Sequence, residues 1–139
     1  MKLKAFVVVA FAALGASQAA AHHSFAMFDP EKLLTQTGTV KEFQYTNPHS
    51  WLMVTVMQDG KAVDWGFEAE GPSSLLRAGI KKSMLMPGEK VTVKGRPMKD
   101  GRPAGSLVSV TKADGSVLSP QAALRRGPGG KPLEATGTH

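Results

Sequence analysis

Asp59-Gly60 stands between two runs of alternating residues, Ser50 to Met57 and Ala62 to Ala69. A two-residue Asp-Gly loop favours the turn whose backbone twist matches that of the strands it joins, so these runs read as a β-hairpin. With those two residues as the loop, Val56 faces Val63, Val54 faces Trp65 and Leu52 faces Phe67, and one face of the hairpin is apolar throughout. Such a face sets the register, because a slip of one residue would turn every apolar side chain outward. That face is expected in the core. The opposite face then carries Met57 beside Ala62, Thr55 beside Asp64, Met53 beside Gly66, Trp51 beside Glu68 and, with pairing extended, His49 beside Glu70.

Thr35 to Tyr45, Lys90 to Arg96 and Ser106 to Thr111 supply three further strands. Between strands three and four, Gly71 to Gly79 has a proline near its start and a glycine just past its end, and reads as about two turns of helix. The order is therefore strand, hairpin, short helix and two more strands. It predicts an all-β fold, a five-stranded OB-like Greek-key barrel with one short helix between strands three and four. A plain sandwich or open meander is the alternative, since nothing in the pattern fixes how strands four and five pair.

The first residues have the form of a secretion signal: Lys2 and Lys4, an apolar stretch from Ala5 to Leu14, and a small-residue end from Gly15 to Ala21. The apolar run is too short to span a membrane. Cleavage after Ala21 or Ala19 satisfies the small-x-small rule, and residues 1–21 are read as the signal peptide. Residues 22–118 form the barrel domain, and the Pro/Gly/Arg-rich residues 119–139 form a disordered tail. Expected localisation is the periplasm or the medium, with no stable membrane insertion after leader removal. Without the leader the formal charge falls from +6 to +4, because the leader contains no acid. The chain has no cysteine, so it holds no disulfide and offers no thiolate to a metal.

Processing would leave histidine at or beside a new N-terminus, because Ala21 runs directly into His22-His23-Ser24-Phe25. An α-amine next to an imidazole chelates a divalent metal, and a further histidine completes a three-nitrogen set suited to copper(II). With cleavage after Ala19 or Ala20, a histidine falls third, and amine, backbone amides and imidazole form a square-planar site instead. The candidate ligands are His22, His23 and His49, with Glu68 and Glu70 as a second tier. Copper lies at the top of the divalent stability order, and its binding displaces a proton from an amine of pKa near ~7.7, so affinity should fall in acid. Met84-Leu85-Met86 offers thioethers as well, although methionine equally serves as a filler of irregular apolar gaps. The competing reading gives His49 a turn-capping role after Asn47-Pro48, and leaves Glu68 and Glu70 as solvated strand residues.

An outward face bearing Trp51, Met53 and Met57 calls for cover. The nearest uncommitted apolar segment holds Phe25 and Phe28 before the turn at Asp29-Pro30, and docking it there would bring His22 or His23 toward His49. Enzymatic readings are poorly supported: Ser50 and His49 are adjacent on a strand and point to opposite faces, and there is no phosphate-cradling glycine motif. Lys90, Lys94 and Arg96 share one face of strand four, but no aromatic interleaves with them, so a nucleic acid is not expected as partner. An acidic envelope protein or polysaccharide fits better. The overall expectation is an envelope copper carrier, buffer or accessory factor, with a metal-free module binding protein or glycan as the alternative.

The chain also resembles a family of small exported bacterial domains of unknown function. The resemblance rests on His22-His23-Ser24-Phe25, Phe28-Asp29, Gly38-Thr39-Val40, Asn47-Pro48-His49, Trp65 with Phe67-Glu68, Leu75-Leu76-Arg77, Pro87-Gly88-Glu89 with Val91-Thr92-Val93, and Asp114-Gly115. It covers nearly all of residues 21–118. One departure is Tyr45-Thr46, where such sequences place tryptophan before Asn47. The resemblance implies a fold and an exported address, and no established activity.

Overall fold

A computed structural model of the chain describes residues 26–121. In it the turn at Asp59-Gly60 places both residues in the left-handed region, at φ 50° and 77°. The hairpin around it joins β2 (His49–Gln58) to β3 (Lys61–Glu70). Its register is the expected one at every pair from Gln58–Lys61 to His49–Glu70. Leu52, Val54, Val56 and Phe67 are buried on the inner side. Trp65 is only partly buried and stacks on Phe67 at 6.0 Å.

Strand β1 (Leu34–Gln44) has two neighbours. Leu34 to Thr39 pair antiparallel with β4 (Lys90–Pro97), while Thr39 to Gln44 pair antiparallel with β2, with a bulge between Val40 and Glu42. Changing partner along one strand demands a sharp local bend, which a bulge supplies. It also demands close backbone approach. A Cβ at Gly38 would lie 2.3 Å from the Thr55 carbonyl oxygen, so only glycine fits there.

The barrel closes through β5 (Ala104–Lys112), which is antiparallel to β4 and pairs in parallel with β3 at Gly66–Ala104, Phe67–Gly105 and Glu68–Ser106. Strand order is β3-β2-β1-β4-β5, with β3 returning to β5. The result is a closed five-stranded barrel of OB type with the helix where the sequence places it. A two-residue β6 (Val117–Leu118) adds to β5 beyond the expected set. The short strand follows the Asp114-Gly115 turn, where Ser116 donates its backbone N–H and its hydroxyl to the Asp114 carboxylate.

Helix α1 (Pro72–Arg77) starts on a proline and buries Leu75 completely while leaving Leu76 exposed. Leu75, Ile80 and Leu85 belong to the same core cluster as the strand residues, so the β3–β4 connection contributes to the interior. Tyr45 holds that connection. Its hydroxyl donates to the Ile80 carbonyl at 2.8 Å and its ring meets Phe43 edge-on, and burial raises its phenol above the ordinary range.

Gly38→Ala should destabilise the protein by about 1–3 kcal/mol through forced displacement of β1 from β2, seen as a lower urea midpoint at unchanged slope. A second expectation concerns acid. The Lys41 ammonium, and after it the Thr55 hydroxyl, hold the Asp64 carboxyl below its usual range. Asp29, Asp100 and Asp114 are lowered chiefly by hydrogen bonds from Glu31, Arg102 and Ser116. Because the native state resists protonation at these groups, their contribution is complete above the unfolded value of about 3.9 and is lost as pH falls below it. The thermal midpoint should therefore drop as pH falls below about 4, and Asp64→Asn should make that drop smaller.

Candidate functional site

Strand alternation places His49, Trp51, Met53 and Met57 on the outer surface of β2, and Glu68 and Glu70 on that of β3. The pairing sets His49 opposite Glu70. Its imidazole instead leans along the diagonal, and Nδ1 lies 3.0 Å from Oε1 of Glu68. Glu70 stays exposed. Glu68 is only 8% exposed, which corrects the expectation of a solvated strand residue: a carboxylate on an outer barrel wall is covered here. A buried carboxylate is costly unless polar groups answer it, and the His49 imidazole is one that does.

The His49 backbone is held independently of its ring. Asn47-Pro48 forms a cis peptide just before β2. Thr46 donates its hydroxyl to the His49 carbonyl at 3.0 Å, and Ser50, fully buried, donates to the Thr46 carbonyl at 3.3 Å. The Asn47 side-chain oxygen sits where a side chain on Gly71 would be, 2.8 Å from a Cβ built there. Thr46 and Ser50 thus stabilise the turn, and the His49 ring is not needed for capping. With Nδ1 toward Glu68, Nε2 has no partner among the described residues.

Pairing across the strands orders the surrounding surface into rows. Trp51, Glu68, Ser106 and Arg96 occupy one row, and the Arg96 guanidinium donates to the Pro30 carbonyl. In the next, Met53, Gly66 and Ala104 lead to Met98, whose N–H donates to the Ala104 carbonyl, and then to Phe28, bridged to Met98. Gly66 makes room for its neighbours: a Cβ there would lie 3.4 Å from both the Met53 sulfur and the Trp51 ring. Trp51 and Met53 are half-buried, Phe28 and Met98 are buried, and Met57 at the hairpin end is 66% exposed.

Residues 27–30 are fastened to this corner by Asp29 N–H to the Pro97 carbonyl at 2.8 Å and Lys99 N–H to the Met27 carbonyl at 2.9 Å. Met98, Ser106 and Arg96 enter the surface through the β3–β5 pairing, for which the sequence carries no register signal. His22, His23 and Phe25 lie outside the described residues, so their proposed approach to His49 has no counterpart in this geometry. Among the described residues no group of three or more His, Asp or Glu side chains is placed to hold a metal. Nor is any helix among them long and apolar enough to cross a membrane.

A family of unknown function, DUF6152, matches residues 10–107, and the chain belongs to it. The match spans β1 to β4 and the start of β5, and therefore includes His49, Glu68 and the row to Met98. No curated protein and no solved structure gives a match.

A neutral imidazole held this way carries its proton on Nδ1, the nitrogen that faces the carboxylate. Nitrogen-15 correlation spectra of the neutral ring should find His49 in that tautomer. Glu68→Ala should return it to the Nε2-protonated form that predominates in water.

Proposed function

We propose that the protein is exported and that its mature form binds one copper ion through Nε2 of His49 and the processed N-terminus, as an envelope carrier, buffer or accessory factor. The contact between His49 Nδ1 and Glu68 Oε1 carries the reading. A metal-ligating histidine characteristically gives its other ring nitrogen to a carboxylate, which sets the tautomer and raises the basicity of the ligating nitrogen. The Nε2 of His49 is so prepared.

Chain reach supports the same reading. Six residues of extended chain, the interval from Phe28 back to His22, span about 20 Å. The straight diagonal over the wall from Phe28 to Glu68, three strand spacings across and two residues along, is about 16 Å at ordinary strand spacing, and the His49 ring leans onto Glu68. His22 or His23 with the new amine can therefore meet His49 without disturbing the barrel. Glu68 would orient His49, while exposed Glu70, at its paired position, is a further oxygen donor.

Calorimetry and electron paramagnetic resonance on the mature protein near neutral pH should give one equivalent of copper(II) with a tetragonal, nitrogen-rich spectrum. Affinity should fall on acidification as the amine is protonated. His49→Ala should remove one nitrogen from the spectrum, and Glu68→Ala should weaken binding by about 10–100-fold. Absence of copper binding, or binding unchanged by His49→Ala, would reject this reading.

A further inference from the structure

A different sector of the barrel wall carries a surface that the copper reading does not use. On the outer side of β1, β4 and β5, pairing aligns Thr35 with Lys94 and Ser109, Thr37 with Thr92 and Thr111, and Thr39 with Lys90. The sheet alternation that buries Val91, Val93 and Val110 turns all of these outward. On these three strands the face is made of hydroxyls and two lysines; the carboxylate its rows reach is Asp64, two strands beyond Thr39, where Lys41 and Thr55 already engage it.

Its charges are unanswered. Lys41 pairs with Asp64, Lys32 with Asp29 and Lys112 with Glu89, whereas exposed Lys90 and Lys94 have no ion pair among the described residues. Apart from the Thr37–Thr92 contact at 3.0 Å, the hydroxyls of the face form no side-chain hydrogen bond among those residues. Four residues along one strand separate the two ammonium groups by about 13 Å at their Cα atoms. Both cations therefore lie on one line, with hydroxyls beside and between them.

We propose that this face binds an acidic polysaccharide laid along β4. Serine and threonine hydroxyls both donate and accept, as sugar hydroxyls do, so the two surfaces can exchange hydrogen bonds in either sense. Lys90 and Lys94 meet uronate or similar anionic groups at separate points, and the net positive charge of the chain steers such a polymer inward. Single-stranded nucleic acid is disfavoured because no aromatic side chain stands on the face to stack a base. An anionic membrane is disfavoured because exposed Val117, which continues the Thr111 row onto β6, is too small an apolar anchor for insertion beside rows of hydroxyls and lysines.

The test uses the mature protein in chelator, which separates it from copper binding, with polygalacturonate, neutral dextran, DNA and anionic phospholipid vesicles as probes at low salt. Polygalacturonate should bind and dextran should not, and added salt should weaken binding. Lys90→Gln with Lys94→Gln should reduce affinity about tenfold or more, as expected for loss of charge-assisted contacts. Lys61→Gln with Lys82→Gln, equal in charge but placed elsewhere, should leave it within about twofold. Thr92→Val, which keeps side-chain shape and strand preference, should weaken binding at an unchanged thermal midpoint. Equal losses from the two lysine pairs, equal binding of dextran, or preferential binding of DNA or vesicles would overturn the proposal.

Discussion

Everything in this barrel turns on the backbone crossing at Gly38, where β1 leaves one neighbour for another. A strand that served only β2 would give a meander with two open edges, and open edges invite pairing with other chains. By bending at Gly38 and the adjacent bulge, β1 presents its first half to β4 and its second to β2. The two halves of the sheet then face each other across Leu52, Val54, Val93 and Val110. The tight contact with the Thr55 carbonyl is what makes the curvature possible.

Closure through β3 and β5 has a second effect, on the outside. It carries the rows that begin on the hairpin onward through Gly66 and Glu68 to Ala104, Ser106 and the end of β4. Glu68 is thereby placed in the interior of a surface rather than at its edge, which is where a carboxylate becomes buried. The small residues at Gly66 and Ala104 let Trp51 and Met53 lie low against the sheet instead of projecting from it. Curvature inside and cover outside thus follow from one set of pairings.

The hairpin was fully legible in the sequence because its turn chemistry and its alternation specify the same register. The helix was legible from Pro72 and Gly79, and the order of elements along the chain pointed to the barrel class while leaving the pairing of strands four and five open. The parallel β3–β5 contact was not, since it joins strands far apart in sequence and involves Gly66, Gly105 and Ala104, which carry no hydrophobic pattern. That gap hid Met98, Arg96 and Ser106 from the candidate surface. The His49–Glu68 contact was visible only as proximity: the register sets His49 opposite Glu70, and the lean toward Glu68 depends on rotamers, which spacing does not encode. The pairing of Thr46 and Ser50 with backbone, rather than the histidine ring, likewise follows from the turn geometry at Asn47-Pro48.

The fastening of residues 27–30 to the corner of β4 and β5 has a kinetic meaning. With Phe28 bridged to Met98 and Asp29 bonded to Pro97, any group within six residues upstream is confined to a radius of about 20 Å. A tether of that length corresponds to a local concentration in the millimolar range, independent of how dilute the protein is. A weak ligand on that arm would behave as a strong one toward the barrel wall, and competing free ligands would have to reach comparable concentrations to displace it.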